Sequence, residues 1–215
     1  MTQKSGFTIL PVSGRFEIDY VNSKNERSIR IIDIKQFVVD SPDGFINAYC
    51  HQRKMARTFN YAAMRRVIDT ETGEIITPDK LHLYLLDLYR KSPARTIDLF
   101  IDDMRPIIEV LVYIAWCDGK YLPSEQKKIV HWILSESSLP DDLSDYSLAV
   151  VKKWPIPDGS VFAEAARTIN RDWPEWKEAV IQQAQGVAAA DRKITEEETE
   201  CLTALKELFG MSDSR

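Results

Sequence analysis

The hydrophobic pattern changes period once along this chain, near Pro78. Before that point it is the alternation of half-buried strands. Phe16-Glu17-Ile18-Asp19-Tyr20 alternates apolar with polar, and Asn22-Ser23-Lys24-Asn25 is turn-forming. Ile29, Ile31, Ile32, Ile34, Phe37, Val38 and Val39 make a second β-rich run, which the Ser41-Pro42-Asp43-Gly44 turn ends. Residues 45–51 predict a third strand, with Ile46, Ala48 and Cys50 on one face and Phe45, Asn47, Tyr49 and His51 on the other. Residues 55–61 predict a fourth strand and residues 65–69 a short fifth. Five short strands at this spacing point to a small, strongly bent barrel.

After Pro78 the period is helical. Thr77-Pro78-Asp79 is a helix start, and Leu81, Tyr84, Leu85, Leu88 and Tyr89 recur at helical spacing until Ser92-Pro93. A second helical pattern runs from Thr96 to Trp116, with Pro106 either kinking it or dividing it in two. Residues 158–170, 175–190 and 196–209 predict further helices, with Trp154, Trp173 and Trp176 as core or rim aromatics. Residues 139–154 carry no clear period. The fold class is α+β, with a β domain over residues 1–78 and an all-α domain over residues 79–215.

Charge follows the same division. The chain carries a net charge of −5, yet residues 1–78 hold 11 basic and 9 acidic residues, which leaves −7 for the remainder. Residues 44–68 contain no Asp or Glu but hold Arg53, Lys54, Arg57, Arg65 and Arg66, interleaved with Tyr49, His51, Phe59 and Tyr61. A cationic, aromatic patch in an acidic chain suits an anion: a nucleotide, a phosphate-bearing signal or a nucleic acid strand. The plainer reading is a solvated basic strand pair. Arg57 has its own structural alternative, an ion pair with Asp19 or Asp33.

These β residues resemble the WYL domain, a small SH3/Sm-like barrel. The likeness rests on Ile18-Asp19-Tyr20, Arg30, Gly44-Phe45-Ile46-Asn47-Ala48-Tyr49-Cys50, Arg57-Thr58-Phe59 and Arg66-Val67-Ile68, and spans roughly residues 16–76. Gly44-Phe45-Ile46 stands where the family has Trp-Tyr-Leu, and Asp33 where a Pro is common. The resemblance implies a ligand sensor of bacterial stress or defence systems. Its basic cleft would fall on Arg30, Tyr49 and Arg57, with His51 and Arg53 beside them. Guanidinium forks bind phosphate bidentately, and a tyrosine can stack beside it.

The helical half contains an internal repeat. Ala115-Trp116-Cys117-Asp118-Gly119-Lys120-Tyr121-Leu122-Pro123-Ser124-Glu125 aligns with Ala188-Ala189-Ala190-Asp191-Arg192-Lys193-Ile194-Thr195-Glu196-Glu197-Glu198. Each copy reads as helix, loop, helix, with an Asp at the loop entrance and a Glu seven positions on. This pattern resembles the tellurite-resistance TerB family, an all-helical domain with two hairpins related by pseudo-twofold symmetry. The resemblance implies a divalent cation, Ca²⁺ or Mg²⁺, at Asp118, Glu125, Asp191 and Glu198; carboxylate oxygens suit such hard ions. Bracing of the loops explains the same residues: Asp118 and Asp191 accepting backbone N–H groups two positions on, and Glu198 completing a capping box with Thr195. Leu122 offers no such cap oxygen in the first copy. Arg192 replaces the usual Gly.

Catalysis has little support. His51, His82 and His131 form no HExxH motif, and neither a nucleophile elbow, a GxGxxG nor a phosphate-binding loop is present. No helix-turn-helix is recognisable, and the acidic balance disfavours duplex binding. Cys50, Cys117 and Cys201 are far apart in the chain, and read as buried free thiols. Met1-to-Leu10 lacks a signal-peptide core, so the cytoplasm is the expected location. The expectation is a non-enzymatic sensor whose barrel binds an anionic small molecule or single-stranded nucleic acid. Its helical half would engage a protein partner or a second copy of the chain, with no role at a membrane. The alternative is an acidic stress module that binds a divalent metal, with the barrel as an interaction surface.

Overall fold

In the computed structural model, residues 8–39, 43–139, 143–191 and 193–211 are described. The Ser41-Pro42 half of the predicted turn, the first seven residues and Arg192 lie outside them. The chain divides into two compact units, Met1–Arg95 and Thr96–Arg215.

The first unit is one antiparallel sheet of six strands: β1 (Ile9–Val21), β2 (Arg27–Val38), β3 (Phe45–Cys50), β4 (Met55–Asn60), β5 (Met64–Asp69) and β6 (Ile75–Ile76). Their order is β4-β3-β2-β1-β5-β6. The α+β class is therefore as the periodicity predicts, but the sheet is open. β4 and β6 are its two edges, and strand pairing does not close it into a barrel. β1 starts seven residues before the predicted strand, at Ile9 instead of Phe16. Pro11 and Gly14 lie at a register shift in the β1–β2 ladder. A bulge absorbs both residues without ending the strand. A Cβ on Gly14 would approach the Phe16 ring to 2.8 Å, so only glycine lets that ring pack inward. Residues 55–61 part at their end, where Tyr61–Ala63 forms a 3-10 turn with Tyr61 buried.

One face of the sheet is the core, built from Phe16, Ile18, Ile32, Ile34, Ile46, Ala48, Cys50, Phe59 and Val67. Helix α1 (Leu81–Arg90) belongs to this unit, and its Leu81, Leu85 and Tyr89 are buried. Asp69 locks the arrangement. Its carboxylate accepts the Glu71 and Thr72 amides at 2.7 and 3.1 Å and the Tyr84 hydroxyl at 2.8 Å. Burial pushes the Asp69 pKa up, but these three donors outweigh it and hold the group below the usual carboxylate range.

The second unit is helical: α2 (Pro93–Asp103), which begins just before it, then α3 (Arg105–Trp116), α4 (Pro123–Ser137), α5 (Ser144–Lys152), α6 (Gly159–Asp172), α7 (Lys177–Ala188) and α8 (Glu196–Leu208). Pro106 divides α2 from α3 instead of kinking one helix, and it sits in the first turn of α3, where its missing N–H costs nothing. The α3 sequence is apolar nearly all round, with Ile107, Ile108, Val110, Leu111, Val112, Ile114 and Ala115 buried, so it runs through the centre and packs on α4, α6, α7 and α8. α5 occupies the stretch that showed no clear period; Ser147 and Val151 are its buried positions. Trp154, Trp173 and Trp176 pack at the rim of this core. Among the described residues, no helix is long and apolar enough to cross a membrane.

Candidate functional site

Strand parity decides which basic residues of the sheet can act together. In a pleated ladder, directly paired residues share a face and neighbours in sequence do not. Arg30 pairs with Ile18, Arg57 with Ala48, Phe59 with Ile46 and Tyr20 with Ser28, and all of these lie on the core face. Tyr49 pairs with Asp33 and Ala56, and Asn47 with Thr58, on the opposite face.

Beside these core-face residues lies a cleft of about 270 Å³, lined by Tyr20, Asn22, Ser23, Lys24, Arg30, Arg53, Arg57, Thr58 and Phe59. Four cations and no carboxylate line it. Arg30 is the deepest of them, only 8% exposed. Its Nε donates to Ser28 Oγ at 2.9 Å, and its guanidinium stands 5.2 Å from the Tyr20 ring centroid and 5.9 Å from that of Phe59. Aromatic faces attract a cation but leave its charge unneutralised. Among the described residues Arg30, Arg53 and Arg57 make no ion pair with a carboxylate. The alternative partners for Arg57 are taken: Asp19 is held by Arg27 at 2.6 Å, and Asp33 by Arg15 at 2.7 Å. Arg53 reaches the cleft from the β3–β4 turn, where Lys54 has a φ of +52°.

Of the five predicted ligand-binding residues, Arg30, Arg53 and Arg57 converge, whereas Tyr49 and His51 do not join them. The Tyr49 and His51 rings meet edge to face at 5.4 Å, and His51 Nε2 lies 2.9 Å from Asp33 Oδ2. With Arg15 they form a separate, charge-balanced group on the other face. Tyr20, Lys24 and Phe59 take the places assigned to Tyr49 and His51. Two of these three stood in the quoted Ile-Asp-Tyr and Arg-Thr-Phe pieces, but a sequence does not say which tyrosine shares a face with Arg30.

The helical repeat builds a second charged site with the opposite economy. Lys120 N donates to Asp118 Oδ1 at 2.8 Å, and Lys193 N to Asp191 Oδ1 at 3.0 Å. In the second copy Thr195 N donates to Glu198 Oε2 at 2.7 Å, while Glu198 N donates back to Thr195 Oγ1 at 3.2 Å. In the first copy Leu122 N donates to Glu125, so only half the capping box exists; Leu122 has no oxygen to return. Glu125 and Glu198 are both 2% exposed.

The two loops lie close enough to feel one another. Burial pushes the Glu125 carboxyl up to about 7; the Leu122 amide opposes this, and the charges of Glu198, Asp118 and Asp191 add to it. All four predicted carboxylates thus share one field. Among the described residues, however, no three His, Cys, Asp or Glu side chains are arranged to hold a metal ion. Each carboxylate is turned back toward its own loop.

Cys117 closes α3 at the first loop, Cys201 lies in α8 past the second, and burial raises both thiols. All three cysteines are free thiols, as expected, but only Cys50 is fully buried; Cys117 and Cys201 are half-buried.

No curated protein and no solved structure matches the chain. Comparison with protein families matches residues 104–215, just over half the sequence, to Tellurite resistance protein TerB. That span contains both copies of the helix–loop–helix repeat and all four loop carboxylates, and the chain belongs to the TerB family.

Proposed function

We propose that this TerB-family chain is a non-catalytic regulatory protein of a tellurite-resistance-type stress or defence system. Its WYL-like sheet unit binds a phosphate-bearing ligand, a nucleotide or a single-stranded nucleic acid, and its helical unit recruits a protein partner in the cytoplasm. One observation carries the reading: Arg30 is buried with its charge unneutralised and lines a cleft with Arg53 and Arg57. A buried guanidinium is costly unless something anionic completes it. The flanking faces of Tyr20 and Phe59 offer a base a surface to stack on. The cleft is small, of a size for one phosphate and its attached sugar or base.

Titration with ATP, with pyrophosphate and with a fluorescein-labelled oligothymidine strand tests this by thermal shift and anisotropy. Binding that weakens with salt and is lost in Arg57→Ala supports the reading. Binding unchanged by Arg57→Ala and Arg30→Ala places the ligand elsewhere and ends it.

A second reading takes the acidic loops as a divalent-cation site. It is favoured by the field that Glu198, Asp118 and Asp191 exert on buried Glu125. The oxygens not used in loop bracing would have to converge on the ion. Calcium and magnesium titrations of Asp118→Asn and Asp191→Asn test it: a thermal shift present in the parent and absent in both variants supports it.

A further inference from the structure

Helix α8 carries two apolar stripes with different fates. Leu202, Leu205 and the following Phe209 are buried in the core. The neighbouring stripe, Cys201, Ala204 and Leu208, is only half-buried, and exposed Glu200 and Glu207 bracket it. These five positions fall at i, i+1, i+4, i+7 and i+8, so they share one helical face. That face borders a cleft of about 540 Å³, which α6 lines from the other side with Phe162 and Ala163. Tyr113 of α3 lines it too, its ring stacked on Phe162 with centroids 4.3 Å apart. A cavity of this size, mostly apolar with a few polar groups, is of the kind that holds a small molecule.

The charges say which kind. Among the described residues, Glu200 and Glu207 are the only charged groups that line the cleft, and neither has an ion-pair partner. Seven helical residues set them about 10 Å apart along the axis and bring the second back to the face of the first. Carboxylates so far apart do not share one metal ion, whose oxygen ligands all lie within about 2.6 Å of it. They also repel the phosphate that suits the sheet cleft. They match a ligand with a positive charge at each end and an apolar middle.

We propose that the cleft between α6 and α8 binds a linear aliphatic diammonium or polyamine. One ammonium pairs with Glu200 and another with Glu207. The methylene chain lies along Cys201, Ala204 and Leu208, where it covers apolar surface that the fold leaves half-exposed. The site does not rest on the phosphate reading of the sheet unit.

Isothermal titration calorimetry of the full-length protein tests this with four amines. Diaminooctane, with an amine at each end of its eight-carbon chain, and spermidine span the two carboxylates when extended. Octylamine carries one charge, and putrescine is too short to reach both. Diaminooctane and spermidine should bind about 5-fold more tightly than octylamine or putrescine, the worth of one added exposed ion pair. Glu200→Gln or Glu207→Gln should remove that advantage, so that diaminooctane falls to the level of octylamine. Ala204→Leu fills the middle of the cleft and should weaken all four amines. Glu136→Gln, on α4 and outside the cleft, should leave every affinity unchanged. Equal affinity of octylamine and diaminooctane in the parent overturns the proposal, as does the absence of binding by any of the four. Diamine binding that survives the joint Glu200→Gln and Glu207→Gln change, or that Glu136→Gln weakens as much, overturns it too.

Discussion

The sheet cleft and the helical loops each gather charges of one sign, and they treat them in opposite ways. In the cleft, Arg30, Arg53 and Arg57 stand among aromatic rings and hydroxyls, with no carboxylate among the described residues to meet them. In the loops, Asp118, Glu125, Asp191 and Glu198 are each satisfied by a backbone amide of their own turn. Like charges held together cost free energy in both places. The loops recover part of it locally through caps and turn hydrogen bonds. The cleft recovers little within the unit, which is why the binding proposal rests there.

The largest expected effect is on ligand binding. Arg30→Ala should weaken binding of a phosphate-bearing ligand by about 30- to 100-fold, on the order of 2–3 kcal/mol for a lost charge-assisted contact, read as Kd by anisotropy. The same site should be costly when empty. Arg30→Met should raise the Tm of the free protein, by about 1–2 kcal/mol of stability, because it removes a buried charge that nothing in the cleft neutralises. A loss of stability in Arg30→Met would erase the contrast between the two regions.

Asp69→Ala should cost about 2–3 kcal/mol in denaturant unfolding, since it strands three donors in a half-buried turn. Its depressed pKa gives the sign of the pH effect. The stabilisation is present above the unfolded value near 4 and is lost as pH falls through the lower folded value.

Glu125 runs the other way. With a folded pKa near 7 against 4.5, the folded state keeps the proton between those values while the unfolded chain releases it. Stability should therefore fall as pH rises from about 4.5 to 7, by an amount on the order of 3 kcal/mol, and then level off. Glu125→Gln should flatten that segment and be the more stable protein at pH 8. Equal pH profiles for parent and variant would refute the raised Glu125 pKa.

The smallest effect compares the two loop copies directly. Leu122→Thr supplies the missing cap oxygen and should gain about 0.5–1 kcal/mol, whereas Thr195→Ala should lose about 1 kcal/mol.

Much of this was legible from residue order. Thr195-to-Glu198 marks a helix start because its capping chemistry is local, whereas Thr77-Pro78 opens a 3-10 turn at Pro78–Lys80, with no side-chain cap at Thr77 and α1 beginning at Leu81. The Asp braces follow from a two-residue spacing. The strands predicted at 45–51 and 65–69, found at 45–50 and 64–69, follow from alternation. Where reading stopped, the cause was non-local. The early start of β1 depends on a long partner strand that tolerates a bulge at Pro11 and Gly14, and β6, two residues long, has no pattern of its own. α5 is patterned by what it packs on, mainly α4, so its own period is weak.

The sequence by itself determined the two-part α+β plan, the duplicated acidic loops and the basic stretch between residues 44 and 68. Each of these is written in spacing, and spacing is a property of one chain segment. Only the tertiary structure decided that Arg30 joins Arg57 while Tyr49 turns to the other face, because face depends on register with a partner strand. It alone set Glu125 in the field of the second loop. Those juxtapositions follow from how α3, α4, α7 and α8 pack around an apolar core, and packing is fixed by the shapes of many side chains at once.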